Sequence, residues 1–262
     1  WQGLAPSALP DPPRRFLPKE MDLDDIARVK EAFRIATLRS AEAGYDILEI
    51  HGAHGYLIHQ FLSPASNHRT DAYGGDIEGR MRFALELAEV TRAAWPADKP
   101  LFWRISAVDG AGGIWNLKDS VILSQALKDR DVDLIDVSSG GISGNSKMPM
   151  VPRLDGYQTD FSDRIRKETG IMTIAVGGIT DPHQAEAILQ DGRADMVALA
   201  RELLWNADWP AHAAKALGLP DAFDGMPHEY AFRLRERERQ KEMQINQAGA
   251  KSEEAFRYFM GE

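Results

Sequence analysis

Two imidazoles three residues apart, His51 and His54, and a phenol, Tyr56, close an apolar run in the stretch Glu49-Ile50-His51-Gly52-Ala53-His54-Gly55-Tyr56-Leu57. An H-x-x-H pair can ligate a metal, donate hydrogen bonds to a substrate oxygen, or simply pack. A zinc site would want a third ligand and a general base such as the Glu of H-E-x-x-H, and Gly52 stands in that place. Packing alone explains poorly why glycines occupy positions 52 and 55, which look like backbone demands. Donation fits best. Two imidazoles aimed at one point would stabilise the oxyanion that builds up on a carbonyl as a nucleophile adds to its conjugated alkene. Phenols keep their proton at neutral pH, so Tyr56 suits its transfer to a carbon of the resulting enolate. Its plainer use is to fill the mouth of the site.

A second constellation is spread over three later places, Ser138-Ser139-Gly140-Gly141, Gly177-Gly178 and Ala200-Arg201. Each follows an apolar run, and together they bring bare backbone N–H groups and one guanidinium to adjacent strand ends, where a barrel phosphate site is usually built. Tight turns that need glycine are the alternative for each motif alone. Arg104 lies inside an apolar run, where an unpaired charge is costly, so it should face the mouth and meet an anion or an electron-rich ring.

The elements that must position these residues alternate strictly. Buried-strand patterns occur at Tyr45–Ile50, Leu101–Ser106, Leu134–Ser138, Thr173–Gly177 and Met196–Ala200. Helical spacing covers 23–43, then Phe83, Leu87, Val90 and Ala94, then Val121 to Leu127, then Phe161 and Ile165, and a fourth interstrand helix runs from Asp181-Pro182 to Gly192. Parallel strands covered by helices leave a choice between an open doubly wound sheet and a (β/α)₈ barrel. The polar strand ends favour the barrel, and no G-x-G-x-x-G follows the first strand. Five strands cannot close eight, so this chain should supply the last five βα units of a TIM barrel. Residues 1–229 read as this partial barrel domain and 230–262 as a charged helical tail in which Arg and Glu alternate. Prolines at 6, 10, 12, 13 and 18 predict an extended lead-in over 1–21.

Composition narrows the partners. A net charge of −9 disfavours nucleic acid and anionic membranes, and the absence of cysteine excludes disulfides, thiolate metal sites and cysteine nucleophiles. No apolar run approaches the roughly 20 residues of a membrane span, and the N-terminus is not ordered like a signal peptide. The expectation is a cytoplasmic enzyme acting on a small molecule. The chain starts at Trp1 rather than Met, as a processed or truncated product would.

Residues from about Gly3 to Tyr230 resemble the Old Yellow Enzyme family of flavin-dependent ene-reductases, in particular its bacterial, thermophilic-like branch. The residues that carry the resemblance are Ala5-Pro6-Ser7-Ala8, the 49–57 stretch, Gln60-Phe61-Leu62-Ser63-Pro64, the run from Ser66 to Gly75, Phe102-Trp103-Arg104-Ile105-Ser106, Asp136 to Gly140, and Gly192-Arg193-Ala194-Asp195. The resemblance implies a barrel holding FMN, reduced by NAD(P)H in a ping-pong cycle, with hydride then passed to the β-carbon of an activated alkene. It implies His51 and His54 as the grip on the substrate carbonyl or nitro oxygen and Tyr56 as the proton donor. It implies Arg104 against the flavin ring, and Ser139, Gly140, Gly177, Gly178, Ala200 and Arg201 around the ribityl phosphate, with no metal.

This sequence departs from the family pattern at Gly79, where Asn is usual, at Ala200, where Gly is frequent, and in its long tail. The family's first three strands, with their flavin-holding Ser-Pro-Met segment, have no counterpart here. A homo-oligomer, or pairing with that missing segment, is therefore expected. Two other readings stay open: a non-redox phosphate-binding barrel isomerase or lyase, and a catalytically empty truncated subunit.

Overall fold

The computed structural model describes residues 2–10 and 17–260. The prolines at 12 and 13 lie outside the described residues. The rest of the lead-in forms a two-residue parallel bridge, β1 (Leu4–Ala5) against β2 (Lys19–Glu20). Arg69 ties it down: the buried guanidinium donates to Pro6 O at 3.1 Å and Met21 O at 2.5 Å while it pairs with Asp71. The run 66–75 is thus partly a brace. Asn67 serves the same purpose, donating to Phe61 O and Tyr73 O.

Helix α1 (Leu23–Glu42) starts where the Asp22 carboxylate accepts the Asp25 N–H, satisfying a donor the helix leaves unpaired. The first long strand, β3, spans Leu48–Gly52 rather than starting at Tyr45. Gly44 turns left-handed at φ +84° and the Tyr45 N–H bonds back to Ser40 O, so residues 45–47 complete the helix exit before the chain can extend. Then follow α2 (Leu57–Leu62), α3 (Ile77–Ala94), β4 (Leu101–Ser106), α4 (Leu117–Lys128), β5 (Leu134–Ser138), α5 (Thr159–Thr169), β6 (Met172–Val176), α6 (Pro182–Gln190) and β7 (Met196–Ala198). Strand β7 is shorter than expected, because Ala200 has already left extended geometry at φ −118°, ψ −82° and caps α7 (Arg201–Trp205). Two more helices, α8 (Trp209–Ala216) and α9 (His228–Met260), end the chain. Gly79 lies in the first turn of α3.

The five long strands form one parallel sheet in the order β3-β4-β5-β6-β7. Every strand adds beside its predecessor in one direction. A doubly wound sheet reverses direction at a switch point, so this is an arc of barrel topology. Neighbouring residues of a strand face opposite sides. Ile50, Trp103, Ile105, Ile135 and Val137 belong to a buried core with Phe83 and Leu87 of α3, Leu123 and Leu127 of α4 and Ile165 of α5. Trp103 and Phe83 are fully enclosed, and truncating either to Ala would cost about 3–5 kcal/mol. The opposite face carries the register row His51, Arg104, Asp136, Ile174 and Met196.

The chain divides into two compact units, 1–180 with 184–199, and 181–183 with 200–262. The first contains the sheet. In the second, Lys215 pairs with Glu238 and Arg235 with Asp221, so α9 is fastened at its N-terminal half. Among the described residues no helix is long and apolar enough to cross a membrane.

Candidate active site

His51, the last residue but one of β3, lies on the open face, and the chain then makes a turn whose geometry only a few residue types tolerate. His54 has φ +60° and Gly55 φ +76°. Gly55 meets Gly141 of the loop after β5 backbone to backbone: a Cβ on Gly55 would stand 2.4 Å from Gly141 O, and one on Gly141 would stand 2.1 Å from the His54 carbonyl carbon. Glycine at 55 is thus a backbone demand, and its counterpart is Gly141. The turn is also hydrogen-bonded: His54 N–H donates to Ser106 Oγ at 3.0 Å, and Ser106 Oγ donates to Gly140 O at 2.7 Å.

The result brings the three expected groups together. The His51 and His54 rings are 5.1 Å apart between centroids, and the Tyr56 ring lies 5.5 Å from His51. Tyr56 caps α2 in extended geometry and is 64% exposed, so its phenol is open to a ligand. Desolvation, reinforced by the Arg104 charge, lowers the pKa of both imidazoles, His54 to about 4. Burial and the Arg104 charge thus favour uncharged rings at neutral pH. His54 Nε2 lies 2.7 Å from Ser138 Oγ, so that hydroxyl governs its tautomer.

Arg104 follows His51 in the row, as expected for a residue facing the mouth. Its Nε stands 3.3 Å from Asp136 Oδ2, and this buried nitrogen makes no hydrogen bond. The Arg104 side chain as a whole stays partly exposed on this face, so a ligand acceptor can reach it. Desolvation raises the Asp136 carboxyl against the pull of Arg104. Glu49, two residues before His51, is pushed up to about 7 by desolvation and by Asp136.

The second constellation is gathered only in part. Ser139 Oγ donates to Gln158 Oε1 at 2.6 Å, and Gln158 Nε2 donates to Val176 O at 2.7 Å. Gln158, just before α5, thus links the loop after β5 to the end of β6. The Gly140 N–H is engaged by Val108 O, so it is not the bare donor that was expected. Gly177 and Gly178 both have positive φ, at +106° and +65°. Ala200 and Arg201 belong to the second unit, where Ala200 O accepts from the Leu203 and Leu204 amides. Ser106, Ser138, Asp136 and Gln158 were not singled out individually from sequence. The first three lie inside quoted motifs, whereas Gln158 carries no local signal.

Similarity to known proteins agrees with this geometry. The profile of the NADH:flavin oxidoreductase / NADH oxidase family matches residues 4–220. An NADPH dehydrogenase of Geobacillus sp. (strain WCH70) is 51% identical over 215 residues, 82% of this chain and 62% of that protein. One from Bacillus subtilis (strain 168) is 43% identical over 214 residues, with the same coverage of 82% and 62%. This chain therefore spans about 62% of the length of these relatives.

Among solved structures, histamine dehydrogenase from Rhizobium sp. 4-9 superposes with a TM-score of 0.69 at 29% identity, covering 82% of this chain and 32% of that one. The old yellow enzyme homologue from Zymomonas mobilis gives 0.68 at 23%, covering 87% and 66%, and agrees in fold. A five-stranded parallel arc with this match identifies the chain as a member of the NADH:flavin oxidoreductase family, that of the Old Yellow Enzymes.

Proposed function

We propose that this chain forms the substrate-side part of an FMN-dependent oxidoreductase that uses NAD(P)H to reduce the C=C bond of α,β-unsaturated carbonyl or nitro compounds. The observation that carries this reading is the pair of imidazoles with ring centroids 5.1 Å apart, with an exposed phenol beside them and the Arg104 guanidinium in the same row. Identity of 43–51% to NADPH dehydrogenases supports it. FMN, when bound, supplies the hydride that it has accepted from NAD(P)H. Arg104 would hold the flavin ring through the exposed part of its guanidinium, with Ser139, Gly177 and Gly178 toward the phosphate.

The chain's own groups do the rest. With His54 Nε2 engaged by Ser138 Oγ, the other ring nitrogen, Nδ1, is left to the substrate, and His51 adds a second imidazole, so both would grip one substrate oxygen. A neutral imidazole N–H is too weak an acid to transfer its proton, so the pair would hold the developing negative charge by hydrogen bonds and leave protonation to Tyr56. Tyr56 then hands its phenolic proton to the carbon next to the carbonyl, completing the saturated product.

Titrating the purified chain with FMN and following flavin fluorescence tests the assignment. Stoichiometric uptake, with NAD(P)H oxidation that depends on an added enone, is the expected result. Failure to take up flavin would overturn it. The exposed aromatic end of α9, Phe256, Tyr258 and Phe259, further suits self-association, read by light scattering of the same sample.

A further inference from the structure

Beneath the turn that carries His54 and Tyr56 lies a polar pair that the proposed reaction never touches. His59 of α2 and Asp109, in the loop after β4, have fully buried side chains, and His59 Nε2 stands 2.9 Å from Asp109 Oδ1. Neither atom hydrogen-bonds elsewhere. The other carboxylate oxygen is saturated: Asp109 Oδ2 accepts from Ser63 Oγ at 2.6 Å, Ile114 N–H at 2.8 Å and Trp115 N–H at 2.9 Å. Desolvation pushes the Asp109 carboxyl up, but His59, Ser63 and Ile114 together hold it below its ordinary value, so it is an anion.

On the far side of the ring, His59 Nδ1 accepts the Gly55 N–H at 3.0 Å. A nitrogen that accepts carries no proton, so the ring proton sits on Nε2, directed at Asp109. Gln60, the next residue of α2, donates to Gly55 O at 2.8 Å. Both polar groups of the Gly55 peptide backbone are therefore held by side chains of one short helix, at the point where φ turns positive between His54 and Tyr56.

We propose that Asp109 and His59 act as a tautomer lock, positioning residues that fix the Gly55 backbone and through it the directions in which His54 and Tyr56 leave the turn. This rests on the proposed function in assigning His54 and Tyr56 their roles; the lock itself is a property of the chain alone.

The substitution Asp109→Asn tests it with almost no change in shape. Three donors converge on the Oδ2 position, so the amide oxygen must lie there and the amide nitrogen must face His59. His59 Nε2 then becomes an acceptor, its proton moves to Nδ1, and that N–H confronts the Gly55 N–H. Nitrogen NMR of the flavin-free chain should show His59 protonated on Nε2 in the wild type and on Nδ1 in Asp109→Asn. Gly55 amide exchange should rise at least about tenfold, since the lost bond exposes the amide. In flavin-loaded protein, kcat for alkene reduction should fall on the order of 10²-fold, the cost of misplacing a catalytic group by about 1 Å. The kcat/KM for NADPH should stay within about threefold, because that half-reaction does not use Tyr56.

His59→Gln guards against a variant that does not fold: its amide oxygen can take the Gly55 N–H and its amide nitrogen can reach Asp109. It should keep Gly55 protected, whereas His59→Leu should not. A wild-type His59 protonated on Nδ1 would overturn the lock, as would an inverted tautomer in Asp109→Asn with unchanged Gly55 exchange and kcat. If the wild type binds no flavin, the functional reading fails, and tautomer and exchange still decide the lock.

Discussion

The substitution Gly141→Ala probes the contact that holds the site together. A Cβ at position 141 would lie 2.1 Å from the His54 carbonyl carbon, 2.3 Å from its Cα and 2.5 Å from Gly55 N. Ordinary carbon contacts begin near 3.5 Å, so the 53–55 turn must retreat by more than about 1 Å. All three colliding atoms are backbone, so no rotamer change relieves the clash. To this is added the strain of a non-glycine residue at φ +106°, about 1–3 kcal/mol. Overpacking costs a further 1–3 kcal/mol or so, giving about 2–6 kcal/mol in all. Gly140→Ala is the matched control: it has φ +82° with nothing within 4 Å of its Cβ, so it carries the strain without the clash. Chemical denaturation followed by near-UV circular dichroism should place Gly141→Ala below Gly140→Ala by about 1–3 kcal/mol. Nitrogen NMR should show the bond between His54 Nε2 and Ser138 broken only in Gly141→Ala. Equal losses in the two variants, with that bond intact in both, would refute the idea that this close approach positions His54.

Further outcomes follow from the same geometry. The pKa of His54 falls from an ordinary 6.5 to about 4 on folding, so between these values the unfolded chain binds more protons. That contribution to stability is present above pH 6.5 and is lost as pH falls toward 4; His54→Asn, which tolerates the positive φ, should flatten this slope in pH-dependent denaturation. Glu49 has the opposite sign, because its pKa rises from 4.5 to about 7. Glu49 is exposed in β3, so solvent screening keeps the penalty on folding small as pH climbs through that window, and Glu49→Gln should raise Tm only slightly at pH 8 and leave it unchanged at pH 4. Arg69→Ala strands the Pro6 and Met21 carbonyls and should cost about 2–4 kcal/mol in the same denaturation assay, with little effect on FMN affinity.

Much of this was legible because the signals are local. Near-continuous apolar runs mark β4 and β5 to the residue, and the cluster of His51, Gly52, His54, Gly55 and Tyr56 announces a turn with chemistry on it. The errors are local too. At Tyr45–Ile47 an apolar pattern was read as strand, but the left-handed Gly44 and the return bond to Ser40 hold those residues in the helix exit. Short α2 was missed because six residues give too little periodicity to register. What sequence could not show is long-range pairing. Ser63 meets Asp109 across 46 positions and His54 meets Ser138 across 84, and nothing near any of these residues encodes the partner. Gln158 belongs to the same class, since its significance lies in a loop and a strand end that the fold brings within reach of one amide.

The central claim is that Tyr56 delivers a proton to an alkene carbon while the two imidazoles hold the substrate oxygen. Rapid mixing of flavin-loaded Tyr56→Phe with NADPH and, separately, of the reduced protein with an enone measures the two half-reactions apart. The account predicts flavin reduction at the wild-type rate and reoxidation by the enone slowed roughly 10²–10⁴-fold, the usual worth of a general acid. Reoxidation at the wild-type rate would contradict it.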